Sequence, residues 1–167
     1  MLSNQKQEGH NMGLQEVQNY FKEHNISNEI ILLDANTSTV ALAAQALGKE
    51  PGQIAKSLAF KLKDDTAVMI VVMGTARIDN KKYKETFGCK ATMMSYDETL
   101  ERTGHAVGGV CPFGVKPDVK IYLDESLKKY DVVYPAAGTA SSAVAFALDD
   151  LQRACGGTWI DVCKDGE

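Results

Sequence analysis

Apolar residues recur along the chain at two different periods, and the switches between them mark out the elements. Leu14, Val17 and Phe21, with Tyr20 beside them, fall at helical spacing, so 13–25 is predicted to form an amphipathic helix with Glu16, Lys22 and Glu23 outward. Residues 1–12 lack that pattern and read as a flexible tail ahead of one domain spanning 13–167. A short apolar strand at 29–33 leads to Asn36, Thr37 or Ser38, each able to cap an Ala-rich helix that runs to Leu47 and closes at Gly48 before Pro51. Strands at 54–62 and 67–73 flank the polar turn Lys63-Asp64-Asp65. This predicts an antiparallel hairpin whose second strand, apolar throughout, is buried on both faces at the centre of the sheet.

The second half alternates less regularly. A basic helix at 80–87 stops at Gly88, a short strand follows at 90–94, and Ser95-x-x-Glu98 is a capping box opening a helix over 96–102 that Gly104 ends. Strands at 119–123 and 131–134 surround a short helix at 125–129. An apolar strand at 143–148, a helix at 149–155 and a last strand at 159–162 complete the chain. Helices and strands interleave without a β-α-β rhythm, so the expected class is α+β, one compact domain with a mixed sheet and flanking helices. No internal repeat, low-complexity tract or linker interrupts it.

Composition narrows this picture mainly by exclusion. At 44% hydrophobic and 24% charged, the 167 residues match an ordinary globular domain rather than a disordered or fibrous chain. The longest apolar run, 67–73, is far short of the roughly 20 residues a membrane span needs. The polar start has neither an apolar signal core nor an Arg-rich amphipathic pattern, so a cytoplasmic address is expected. A net charge of −4 argues against a globally basic nucleic-acid binder, leaving only a local patch for such contacts. Arg77, Lys81, Lys82, Lys84 and Lys90 supply one around the basic helix, read either as a solvated face or as a polyanion contact. The four cysteines and three histidines form no metal-ligand spacing, so no metal and no cofactor is expected.

Three segments hold candidate chemistry. In the strand at 54–62, alternation places Lys56 on the apolar face with Ile54, Leu58, Phe60 and Leu62; such a cation either snorkels to water or faces a cleft for an anion or polarised carbonyl. Gly104 to Gly114 packs four glycines and Pro112 into eleven residues. Gly108-Gly109 suits close backbone approach to a ligand, though a plain connecting loop fits equally, and neither a dinucleotide fingerprint nor a Walker A pattern is present. The loop Pro135 to Ser142 is built of small residues, among them Gly138, Thr139 and Ser141, and fits a turn or a ligand contact. His105 and Cys111 invite a nucleophile-and-base reading but lie in one loop with no third group to orient them.

Taken together, Ile54-Ala55-Lys56-Ser57-Leu58, Gly104-x-x-x-Gly108-Gly109-x-x-Pro112-x-Gly114, and Ala136-Ala137-Gly138-Thr139 ahead of an apolar strand and Asp149-Asp150-Leu151 resemble the YbaK/ProX family of aminoacyl-tRNA editing domains, over about 14–162. The resemblance implies a barrel-like mixed sheet and hydrolysis of the ester linking a wrong amino acid to tRNA, most often tRNA for proline. It puts the family's functional lysine on Lys56 and its substrate-binding loops on Gly108, Gly109, Pro112, Gly138, Thr139 and Ser141. Its expected partners are mischarged tRNA, met by Arg77, Lys81 and Lys82, and a synthetase, with monomer and homodimer both open. Alanine-removing members carry His-Pro and Asn-Thr where this chain has Tyr134-Pro135 and Gly138-Thr139, a departure from their pattern. Two other readings share these residues: a non-catalytic module that binds aminoacyl-tRNA or amino acids, and a hydrolase of small esters unrelated to tRNA.

Overall fold

A computed structural model describes the backbone of residues 2–165 and the side chains of residues 13–164. Helix α1 (Leu2–Glu23) buries Val17 and Phe21 as the spacing predicts, and it runs back through the stretch expected as a tail. Strand β1 (Ile30–Leu32) is followed by helix α2 (Val40–Leu47), capped by Thr39, whose hydroxyl accepts from Leu42 N–H. The cap lies one residue beyond the expected candidates because Asn36 and Thr37 already bond elsewhere, to Ser38 N–H and the Ala140 carbonyl.

The hairpin forms as expected. Strands β2 (Ile54–Lys61) and β3 (Ala67–Met73) pair antiparallel, and all seven residues of β3 are buried. Strand β4 (Ala76–Ile78), helix α3 (Asn80–Phe87) and helix α4 (Tyr96–Thr103) follow, with both reciprocal bonds of the Ser95/Glu98 capping box made. Then come β5 (Lys120–Asp124), a 3₁₀ turn (Glu125–Lys129), β6 (Val132–Pro135), β7 (Ser142–Val144), β8 (Phe146–Ala147), α5 (Leu148–Cys155), β9 (Thr158–Ile160) and β10 (Cys163–Asp165). The main sheet has the order β8-β6-β2-β3-β5-β9, with β2 and β3 at its centre. It is mixed: β2/β3 and β6/β8 are antiparallel, while β2/β6, β3/β5 and β5/β9 are parallel. The result is a single α+β domain with a sheet curled into a half-barrel.

Two expected strands change form. The apolar run 143–148 divides at Ala145, because β7 pairs with β1 whereas β8 crosses to β6. Residues 90–94 make only a bridge between Met93 and Phe60, flanked by Lys61 N–H to the Thr92 carbonyl and Met94 N–H to the Ala59 carbonyl. A pair unseen in the sequence, β4 with β10, closes the α3 side. On that side Phe60, Val68, Ile70, Val72 and Tyr83 form a cluster; Val17, Phe21, Phe113, Leu123 and Phe146 form the larger one.

Candidate active site

Three loops converge beside β2. Thr37 gives both its N–H and its hydroxyl to the Ala140 carbonyl, tying the start of α2 to the 136–142 loop. Gly138 N–H donates to the Gly109 carbonyl at 3.1 Å, tying that loop to the glycine-rich one. A Cβ on Gly108 would meet Ser38 Cβ at 3.2 Å and would be strained at φ 100°, so a glycine closes the triangle. The loops and the outer part of β2 enclose a cavity of about 370 Å³. Its wall includes Ser38 to Val40, Ala55 to Ala59, Met93, Tyr96, Gly108, Tyr134 and Ser142.

Lys56 is part of this wall. Its neighbours Leu58 and Phe60 pack into the α3-side cluster, as the alternation predicts, and its ammonium donates to the Ala76 carbonyl of β4 at 2.7 Å. The half-buried cation is therefore satisfied by a backbone oxygen rather than a carboxylate. Burial lowers its pKa below the usual lysine range; Cys163 opposes that shift and Arg77 adds to it. Among the described residues, no histidine and no carboxylate lines the cavity. Ser57, also in the wall, has a buried hydroxyl with no hydrogen-bond partner among the described residues.

The other predicted site residues separate. Gly108 shares the cavity with Lys56, and its N–H makes no bond among the described residues. Gly109 does not share it. Its N–H closes a turn on the Ala106 carbonyl, and it packs against Gly138 so closely that a Cβ would lie 2.6 Å from Gly138 C. Gly109, Gly138 and Thr139 instead line a second cavity, about 730 Å³, between α1 and the end of α4. Pro112 is buried and Ser141 half-buried, and both lie outside the walls of these cavities. From the 136–142 loop, the hydroxyl residue in the wall of the Lys56 cavity is Ser142, to which Thr139 Oγ1 donates at 2.9 Å.

His105 and Cys111 do not form a nucleophile and base. Both are fully buried; His105 Nε2–H donates to the Phe113 carbonyl at 2.6 Å, with Cys111 Sγ 3.7 Å away, and neither lines either of these two cavities. Burial pushes the Cys111 thiol up to about 12, so it carries no thiolate near neutrality. Among the described residues no cluster of three or more His, Cys, Asp or Glu is placed to hold a metal.

In the basic patch, Arg77 and Lys81 are exposed, whereas Lys82 is engaged with Asp161 at 3.0 Å and the Cys163 carbonyl at 2.9 Å. Sequence reasoning missed Ser142, Met93, Tyr96 and the start of α2, which reach the site only through loop closure. Spacing along helix α4 does not signal it either, since the helix places Tyr96 and Leu100 outward while burying Thr99 and Thr103.

The chain has counterparts in sequence and in fold. The chain is 44% identical over 157 residues to the uncharacterized protein YwhH of Bacillus subtilis (strain 168), covering 93% of this chain and all of that one. It is 28% identical over 120 residues to a candidate Cys-tRNA(Pro)/Cys-tRNA(Cys) deacylase, EbsC, of Enterococcus faecalis, covering 71% of this chain and 73% of that one. A crystal structure of a candidate trans-editing enzyme for prolyl tRNA synthetase superposes with a TM-score of 0.83 at 32% identity, over 91% of this chain and 97% of that one. The family model for the aminoacyl-tRNA editing domain matches residues 34–154, which contain β2, the glycine-rich loop and the 136–142 loop, and the chain belongs to that family.

Proposed function

We propose that this protein hydrolyses the ester between a wrongly attached amino acid and the 3′ end of tRNA, with tRNA of the proline-accepting type as substrate and a prolyl-tRNA synthetase as the source of the error. The observation that carries this reading is that Lys56 is, among the described residues, the one formally charged side chain in the wall of the cavity. Water attacks the carbonyl carbon, the ester C–O bond breaks, and the ribose oxygen leaves with a proton. An ammonium with one of its three donors on Ala76 has two left for the developing oxyanion or a terminal phosphate. The Gly108 amide and the positive end of α2, where Thr39 and Val40 meet the cavity, add to the same field.

With no imidazole or carboxylate in the wall among the described residues, the proton of the attacking water goes to the substrate's amino group or, relayed through the adjacent ribose hydroxyl as that gives up its own proton, to the leaving ribose oxygen. The wall is otherwise aliphatic residues, Met, Gly108 and hydroxyl residues, which suits an uncharged amino-acid side chain. The names of the relatives, a Cys-tRNA(Pro) deacylase and a trans-editing enzyme, agree with this class. Arg77 and Lys81 serve as outlying phosphate contacts.

The test is turnover on a panel of mischarged tRNAs at protein below stoichiometry, with release of free amino acid expected. Lys56→Met, which keeps the aliphatic stem, lowers the rate by about 10²- to 10³-fold if the ammonium stabilises the transition state. Protection of the ester by the wild-type protein, in place of release, would establish a binding module instead. Hydrolysis by Lys56→Met at the wild-type rate would remove the lysine from the mechanism.

A further inference from the structure

Helix α4 has its amphipathic pattern reversed. Thr99 and Thr103 are buried, with hydroxyls bonded back to the Ser95 and Thr99 carbonyls, while Tyr96 is 75% and Leu100 53% exposed. Met93, 59% exposed, and Val107, 48% exposed, extend the strip on either side. A helix normally turns its apolar stripe to the core, so an outward one marks a surface that binds something. Met93, Tyr96 and Val107 also belong to the wall of the Lys56 cavity, so the strip is continuous with its mouth.

A cleft of about 400 Å³ adjoins the other end. It is lined by Lys61, Lys63 and Lys90 with Asp65 and Thr92. It sits against α4, because Lys61 pairs with Glu98 and its N–H donates to the Thr92 carbonyl, next to Met93. Asp65 is neutralised by Arg102, at 3.3 Å. Lys63 and Lys90 are exposed and take part in no ion pair among the described residues. Asp97 and Glu101 lie exposed on the adjacent face of α4 and repel phosphate there. Along α4, the electrostatics thus favour the path toward Lys63 and Lys90 for a phosphate chain leaving the cavity.

We propose that this surface holds the unpaired 3′ end of the tRNA: a base near the terminus stacks on Tyr96, flanked by Met93 and Leu100, and the phosphates of the preceding nucleotides lie in the Lys63/Lys90 cleft. The inference rests on the reading of the cavity as an aminoacyl-ester site. An aromatic platform beside free lysines is the pairing that single-stranded nucleic acid requires, since the ring takes the base and the ammonium groups take the backbone. A protein partner would need only the apolar strip, not the lysine cleft continuous with it.

The experiment measures binding, independently of hydrolysis, by fluorescence anisotropy with an uncharged, labelled acceptor-stem hairpin carrying the unpaired 3′ end. Tyr96→Ala is expected to weaken binding about 5- to 150-fold, the loss of one stacked base, while Tyr96→Phe and Tyr96→Trp keep it. Lys63→Glu with Lys90→Glu is expected to reduce the slope of log affinity on log salt by about 1.4, two single-strand contacts. A blunt-ended duplex should not distinguish Tyr96→Ala from wild type. If Tyr96→Ala binds the hairpin like wild type, or wild type does not bind it, the proposal is overturned. It is also overturned if Tyr96→Ala abolishes self-association in sedimentation and leaves RNA affinity intact, since a second copy then covers the strip. If the binding pattern holds but wild type hydrolyses no mischarged tRNA, the docking surface stands and the hydrolytic reading falls.

Discussion

His105 shows how a residue that invites a catalytic reading can hold a loop in place. It joins the beginning of the glycine-rich loop to its end through the Phe113 carbonyl, and its Nδ1 is buried without a partner among the described residues. Burial lowers its pKa, against the weaker opposing pull of the Phe113 bond and Glu16. The unfolded chain therefore holds a proton that the folded chain does not, between the folded pKa and about 6.5. Stability should fall as pH drops from about 6.5 through the folded value, then level off. His105→Gln keeps an N–H donor and removes the titration, so thermal melts across that window should show a flatter acid limb. An equal slope in both proteins would mean that His105 is not the group responsible. Lys56 and His105 were both legible as unusual residues, yet whether each faced a ligand or a backbone carbonyl depended on partners 20 and 8 positions away.

At the scale of elements, the site is a junction of loops held by glycines that admit backbone against backbone. Gly13 and Gly138 approach so closely that a Cβ on Gly13 would overlap the Gly138 carbonyl oxygen, and Gly109 meets Gly138 from the other side. Gly138 itself has φ 95°. Gly109→Ala should therefore lower stability by about 1–3 kcal/mol, because the atoms it meets belong to backbone and cannot rotate away. Loss of activity with an unchanged melting temperature would contradict this and return Gly109 to the role of a direct substrate contact. Glycine richness was visible in the sequence. The division of labour, with Gly108 at the Lys56 cavity and Gly109 between two loops, was not, because neighbouring glycines differ only in what the fold brings against them.

At the scale of the molecule, helix α3 lies against the β2/β3 face that carries Phe60 and Val72, with the Tyr83 ring tilted against Phe60 at 5.3 Å between centroids. Lys82 fastens it to the 161–163 segment, so the two adjacent lysines differ in kind. Lys82→Glu should lower the melting temperature by setting a carboxylate against Asp161, whereas Lys81→Glu should leave it unchanged and only weaken tRNA binding at low salt. Equal thermal behaviour of the two variants would show that the Lys82 contacts contribute nothing measurable. By itself the sequence determined the α+β class, the central hairpin, the helix ends set by Ser95, Gly48, Gly88 and Gly104, and the placement of Lys56 on an apolar face. Each of these follows from spacing, capping or composition within a few residues. Only the tertiary structure decided which glycine meets the cavity, that Ser142 rather than Ser141 lines it, that Lys82 is bound and Lys81 free, and that α4 turns Tyr96 outward. Those facts arise from contacts between segments as much as 100 residues apart, and a period read along one segment does not encode them.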